Sequence, residues 1–123
     1  MDATPADPAR ITDYHIHVYY DPNDPDSRAR AARLREWVEQ RFAEVRMGRW
    51  HDVPVGPHPT AMYQIQFPVA AFPALVPFVM MNRQGLTVLL HPQSGRPRED
   101  HTVNATWMGA VLPINTSVLR EAD

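Results

Sequence analysis

The chain has 123 residues, of which 44% are hydrophobic and 21% charged; this fits one ordinary globular domain and excludes a disordered or fibrous chain. Its formal net charge is −2 and every basic residue is an arginine, so the charge gives no indication of nucleic-acid binding. The absence of cysteine excludes disulfides, thiolate metal ligands and thiol nucleophiles.

The first twelve residues are polar and contain prolines, which predicts a flexible leader (residues 1–12) ahead of a single domain (residues 13–123). Acidic residues and prolines stand where a secretory signal would need a basic start and an apolar run. No apolar stretch of the sequence is long enough to span a bilayer. We therefore expect a cytoplasmic protein that binds neither membranes nor nucleic acid.

The first predicted strand is the run Tyr14–Tyr20, which is rich in β-branched and aromatic residues. It ends at Asp21–Pro25, a dense turn signal. Apolar residues then recur at helical spacing over Ala31–Phe42, behind Asp26 or Ser27 as the capping residue. This pattern predicts the first helix.

The middle of the chain predicts three more strands and a second helix. Val45–Trp50 is a short strand, and the proline-rich segment His51–Pro59 must be a loop. Thr60–Phe67 alternates apolar and polar residues with the period of a strand. A helix over Ala70–Asn82 and a strand over Leu86–His91 follow.

The element order is βαββαβ, which predicts an α+β, ferredoxin-like antiparallel sheet with both helices on one face. Pro92 is expected to end the fourth strand. The remaining residues form a C-terminal extension, with a loop, a short helical turn around Val103–Met108 and a proline-broken tail.

Strand alternation separates a core face from an open face. In the ferredoxin-like order the first strand lies between the third and fourth, so the open face gathers His15, His17, Gln64, Gln66 and His91. The Cα atoms of residues two apart on a strand are separated by roughly 6.5–7 Å. Two imidazoles at this separation can lean toward each other and bind one ion. Neutral imidazole suits iron, zinc, copper or nickel. The alternative is a hydrogen-bonded surface or a dimer interface.

Further histidines strengthen the metal interpretation. His58 lies in a stiff Gly-Pro-His-Pro turn, which suits a preorganised site, although a purely structural turn fits the residues equally well. His91 ends a strand and His101 follows an acidic pair. Packing alone does not require so many histidines in such settings.

Six short motifs follow one another between residues 14 and 119. They are Tyr14–Tyr20, Pro54–Pro59, Val88–Gly95, Asp100–His101, Ala105–Gly109 and Leu112–Asn115. In this order they resemble the successive signatures of the DOPA 4,5-dioxygenase family, over nearly the whole chain.

The resemblance implies a small ferredoxin-like protein, often a homodimer, that opens the ring of a catechol such as 3,4-dihydroxyphenylalanine with O₂ in an extradiol reaction. It implies Fe(II) as the cofactor, with Zn(II) as the alternative ion in purified or crystallised protein. Two other classes stay open on the residues alone. One is a non-catalytic ligand-binding or dimeric α+β barrel module with interface histidines, and the other is a zinc-binding protein of different function.

With this resemblance, we expect His17, His58 and His91 to be the metal ligands. His15 is expected as a fourth ligand or as an acid/base group that handles the catechol proton. His101 is the second catalytic candidate, for substrate contact or proton delivery.

Four residues are candidates for substrate binding. Gln64 shares the predicted open face, and Arg96 and Arg98 offer bidentate contacts to a carboxylate unless they are solvated loop arginines. Trp107 offers a ring to stack on the substrate or to anchor the C-terminal segment. No carboxylate lies on the predicted open face. The loop acids Glu99–Asp100 could complete the site, and an all-histidine site is equally compatible with the sequence.

Overall fold

Five strands and three helices form along residues 3–120, the part of the chain that the computed structural model describes. The first two residues of the predicted leader and the last three residues of the chain lie outside this range. None of the helices within it is long and apolar enough to cross a bilayer. In chain order the elements are β1 (Asp13–Tyr19), α1 (Pro25–Arg41), β2 (Arg46–Met47), β3 (Met62–Pro68), α2 (Phe72–Asn82), β4 (Val88–Gln93), α3 (Pro97–Asp100) and β5 (Thr106–Met108).

The strands form one antiparallel sheet in the order β2-β3-β1-β4-β5. The central strand β1 pairs Ile16 with Ile65 of β3 on one side and with Leu90 of β4 on the other. The predicted α+β, ferredoxin-like fold is confirmed, including the position of the first strand between the third and fourth. The homodimer stays a prediction.

Local sequence explains where α1 begins. The Asp24 side chain accepts a hydrogen bond from the Asp26 backbone N–H at 3.0 Å, and Pro25 occupies the first helical turn, where its missing N–H costs nothing. The cap is therefore Asp24, and the prediction of Asp26 or Ser27 was wrong by two or three residues. The helix buries Ser27, Ala31, Leu34 and Val38 against the sheet.

The main core lies between the helices and the sheet face on which the alternation pattern placed it. Its strand members are Ile16, Val18, Tyr63, Ile65, Phe67, Val88, Leu90 and Met108. The opposite face, predicted to be open, is covered. Tyr19, Met62 and Leu89 form a second buried cluster there, packed against Ala105, Trp107, Leu112 and Ile114 of the C-terminal segment.

Two expectations for the C-terminal half were wrong. Thr106–Met108 is strand β5 and not part of a helical turn, because these residues pair with Val88–Leu90 along the free edge of β4. Pro92 does not end the fourth strand, which continues to Gln93 and pairs Pro92 with Tyr14 of β1. Proline is tolerated there because β5 does not reach that far, which leaves one edge of β4 without a ladder.

Candidate metal centre

Four buried histidines from four segments meet beneath the C-terminal segment. His17 comes from β1, His91 from β4, His58 from the proline-rich loop and His101 from the residue after α3. Their exposed fractions range from 0% to 9%. The ring centroids of His17 and His58 are 4.1 Å apart, and those of His91 and His101 are 3.9 Å apart. His15 lies at the edge of this cluster, with its ring 5.1 Å from that of His91.

Two trios of these histidines, which share His17, bring their ring nitrogens close enough together to hold a metal ion. His17 Nε2 and His91 Nε2 are 3.1 Å apart. Two nitrogens at about 2.0–2.1 Å from a common ion have this separation when the angle between them is roughly 100°, between octahedral and tetrahedral values. One nitrogen from each of His15, His17 and His91 lies within 4.8 Å of the others, and the same holds for His17, His58 and His101.

Hydrogen bonds leave the Nε2 atoms of two histidines available as lone-pair donors. His91 Nδ1 lies 2.9 Å from the carbonyl oxygen of Pro92, and His101 Nδ1 lies 2.7 Å from that of Pro97. A carbonyl can only accept, so both Nδ1 atoms carry the proton and both Nε2 atoms carry a lone pair. Such Nδ1 contacts to carbonyls are typical of histidines that bind a metal through Nε2.

Tyr19 makes the corresponding contact to His58, with its hydroxyl 2.7 Å from His58 Nδ1. Its ring stacks on Trp107 at 5.9 Å and 21°, which fixes the position of the hydroxyl. His17 differs, because its Nδ1 is buried and has no hydrogen-bond partner within residues 3–120. A buried polar atom without a partner is costly, so His17 is the member of the cluster whose hydrogen bonding is incomplete among the described residues.

Burial keeps the imidazoles neutral. Burial first, and the neighbouring imidazoles second, lower the pKa of His58 to about 4 and that of His91 to about 3. The pKa of His17 is held well below its usual value by the same two causes, burial first. Neutral rings at neutral pH carry the lone pairs that a metal requires. The donor set thus fits an imidazole-bound metal ion.

A carboxylate stands at the edge of the cluster, which the sequence interpretation missed. Asp13 begins β1, and its Oδ2 lies 3.8 Å from His15 Nε2 and accepts a hydrogen bond from the Gln66 amide at 2.8 Å. The signal was present in the sequence, since the alternation that relates His15 to His17 extends back to Asp13. It was overlooked because the strand was predicted to start at Tyr14.

The candidate substrate-binding residues are distributed over several places. Gln64 lies opposite His17 in the sheet, and its amide makes no side-chain hydrogen bond in the described part of the chain. Trp107 packs on Tyr19 in the cover over the histidines. Arg98 donates to the carbonyl of Leu119 at 2.8 Å, which ties α3 to the C-terminal tail. Arg96 lines a separate cavity. Their roles in substrate binding stay predictions.

The loop acids are engaged locally. The oxygens of buried Asp100 accept hydrogen bonds from the backbone and hydroxyl of Ser94, at 2.8 and 2.7 Å, and from the Asn104 amide at 3.3 Å. Glu99 lies 3.5 Å from Arg96. Asp100 therefore closes the loop that presents the next residue, His101, to the cluster.

Two known proteins are similar to most of this chain. A DOPA 4,5-dioxygenase from Amanita muscaria is 30% identical over 116 residues, which are 90% of this chain and 51% of the fungal protein. An uncharacterized 21.2 kDa protein from Botryotinia fuckeliana is 31% identical over 115 residues, which are 87% of this chain and 63% of that protein. The chain thus spans between half and two thirds of the length of these relatives.

A solved structure is similar over nearly its whole length. The crystal structure of a candidate dioxygenase from Nostoc punctiforme superposes with a TM-score of 0.87 at 45% identity, covering 93% of this chain and 96% of that one. The model of the Dopa 4,5-dioxygenase family matches residues 14–118. The resemblance seen in the six motifs is confirmed, and the chain belongs to the Dopa 4,5-dioxygenase family.

Proposed function

We propose that this protein is a metal-dependent extradiol dioxygenase that uses O₂ to open the ring of a catechol such as 3,4-dihydroxyphenylalanine. Membership of the family supports dioxygenase activity, and the relative from Amanita muscaria is named for this substrate. The observation that carries the metal dependence is the 3.1 Å approach of two imidazole nitrogens within a buried, neutral histidine cluster.

His17, His58 and His91 are the proposed ligands. His17 belongs to both groups of converging nitrogens, so it is expected to bind in any arrangement of the site. His58 and His91 each belong to one group; the Nδ1 of His91 donates to a carbonyl and leaves Nε2 for the ion, and the Nδ1 of His58 does the same when it donates to the Tyr19 hydroxyl. The third members of the two groups, His15 and His101, then remain for substrate and proton handling.

The metal and the histidines have separate tasks in this proposal. An iron(II) ion held there would supply Lewis acidity toward the two catechol oxygens and redox chemistry toward O₂. His15 is suited to take the catechol proton, because burial lowers its pKa and keeps it neutral, while Asp13 at 3.8 Å stabilises the imidazolium that forms. His101 offers an Nε2 lone pair for a second proton or a hydrogen bond, since its Nδ1 donates to Pro97.

The covering segment provides walls for an aromatic substrate. Tyr19 and Trp107 present stacked rings beside the cluster, and the amide of Gln64 lies on the same sheet face as His17. Excluding water here strengthens the electrostatic contacts that orient a bound diol. The identity of the substrate and the residues that contact it are both part of this proposal.

Metal content and turnover together test the proposal. The purified protein is analysed for bound iron and zinc, loaded with Fe(II) under anaerobic conditions, and mixed with catechols and O₂. We expect a yellow ring-opened product, uptake of one O₂ per catechol, and loss of both metal and activity in His17→Ala and His91→Ala. His51→Ala is the matched control, because His51 belongs to neither group of converging nitrogens and its backbone bridges Met62.

Two results would contradict the proposal. If the variants at His17 and His91 keep both metal and activity, the cluster is not the metal site. If the chelated protein instead associates in a pH-sensitive manner with no metal requirement, as measured by equilibrium sedimentation, the non-catalytic module with interface histidines is favoured.

A further inference from the structure

A cavity lies on the other face of the sheet from the histidines. It has a volume of about 460 Å³ and opens between the segment that precedes β1 and the loop that follows β4. Tyr14 and Pro92 line it, whereas their neighbours His15 and His91 belong to the histidine cluster. Neighbouring strand residues point to opposite faces, so the sheet separates this cavity from the candidate metal centre.

The interior of this cavity is aromatic and aliphatic. Tyr14 and Phe72 contact each other with ring centroids 4.8 Å apart, and Ile11 and Leu90 complete the apolar lining. Seven of the fourteen lining residues are polar or charged, and a cavity of this size that combines apolar walls with polar groups is typical of sites for small organic ligands. Flat rings are favoured, because they can stack on or pack edge-to-face against the two aromatic walls.

Four charged residues line the cavity, and three of them are engaged. The Asp7 side chain accepts a hydrogen bond from the Ala9 backbone N–H at 2.9 Å, and Arg96 and Glu99 form an ion pair at 3.5 Å. The guanidinium of Arg10 makes no hydrogen bond or ion pair with any residue between 3 and 120. Arg10 is therefore a cation at the cavity whose guanidinium has no partner in the described part of the chain.

We propose that this cavity binds a small monocarboxylate that carries an aromatic ring. The ligand ring packs against the cavity side of Tyr14 and Phe72, and the carboxylate pairs with Arg10, whose planar guanidinium suits a two-oxygen anion. The site is separate from the metal centre, and the inference does not rest on the proposed function. No diol is needed for recognition, so ligands that cannot chelate a metal should bind.

Benzoate and its neutral analogue benzamide are suitable probes for the full-length, metal-free protein. Binding is measured by isothermal titration and by saturation-transfer NMR. We expect benzoate to bind and benzamide to bind at least about tenfold more weakly, because benzamide lacks the charge that pairs with Arg10. Arg10→Gln should weaken benzoate binding by a similar factor. Arg33→Gln, which removes an exposed arginine of α1 that does not line the cavity, should leave it unchanged.

The outcomes separate this site from the metal centre. His17→Ala should bind benzoate as the unaltered protein does, since His17 lies on the other sheet face. Equal affinities for the two probes, unchanged binding in Arg10→Gln, or loss of binding in His17→Ala would each overturn the proposal. A protein that takes up no iron but still binds benzoate would refute the proposed function and leave this inference standing.

Discussion

Acid should destabilise the metal-free protein in a defined pH range. Burial lowers the pKa of His58 to about 4 and that of His91 to about 3, whereas both return to about 6.5 in the unfolded chain. Below pH 6.5 the unfolded chain therefore takes up protons that the native state does not accept. The stability contributed by these groups is fully present above pH 6.5 and is lost as the pH falls toward their native pKa values.

The size of this effect follows from the two pKa values. As the pH falls, each group lowers the free energy of unfolding by up to about 1.4 kcal/mol per pH unit. Between pH 7 and pH 5 each therefore removes about 2 kcal/mol from that free energy. His58 and His91 together then remove about 4 kcal/mol, and His17, whose pKa is also lowered, adds to this figure. Domains of this size have total stabilities of about 5–15 kcal/mol, so the loss is a large share.

Urea unfolding at pH 7, 6 and 5 in the presence of a chelator measures the effect. His91→Gln removes one titrating group, so unfolding of this variant should take up about one proton fewer. Its free energy of unfolding should therefore fall less steeply as the pH is lowered, whatever its stability at pH 7. A free energy of unfolding that stays level from pH 7 to pH 5 would refute the reasoning. It would mean that the rings are hydrated or already charged in the native state.

Three substitutions test individual contacts. Tyr19→Phe removes the hydroxyl that lies against His58 Nδ1, and it should weaken metal binding about 10–100-fold in a chelator competition. An unchanged metal affinity would show that this contact does not orient the His58 ring. Tyr63→Phe removes a buried hydrogen bond of 2.7 Å to a carbonyl of α1 and should lower the free energy of unfolding by about 1 kcal/mol in urea, with metal affinity as the internal control. Gly109→Ala should lower the melting temperature, because φ is +90° and the added Cβ would lie 3.3 Å from Thr87 Oγ1; an unchanged melting temperature would contradict this.

The sheet and its two faces could be predicted from the sequence because strict alternation needs no knowledge of distant contacts. Ile16 and Val18 are buried in the main core, while His17 and Tyr19 lie on the other face, as the period of two indicates. The two helices followed in the same way from the spacing of their apolar residues.

The cover over the histidines could not be predicted, because it depends on pairing between distant segments. The three residues of β5 are too few to display a strand period. Trp107 belongs to a strand only because it pairs with Leu89 at the edge of β4. The contact between Tyr19 and His58 joins residues 39 positions apart through a loop whose path the prolines stiffen but do not specify. Asp13 was missed for a smaller reason, an error of one residue in the start of a strand.

The cover and the histidine cluster depend on each other. Leu89 and Trp107 help to exclude water from the face that carries His17 and His91, and this exclusion lowers the pKa of both imidazoles. The clustered neutral imidazoles do not fulfil all of one another's hydrogen bonds, since His17 Nδ1 has no partner among the residues described. A metal ion that accepts the converging lone pairs would offset the cost of burying them, and it would stabilise the cover as well as the cluster. Burial of this kind therefore favours a metal site over a dimer interface, where the same imidazoles would gain only weak polar contacts.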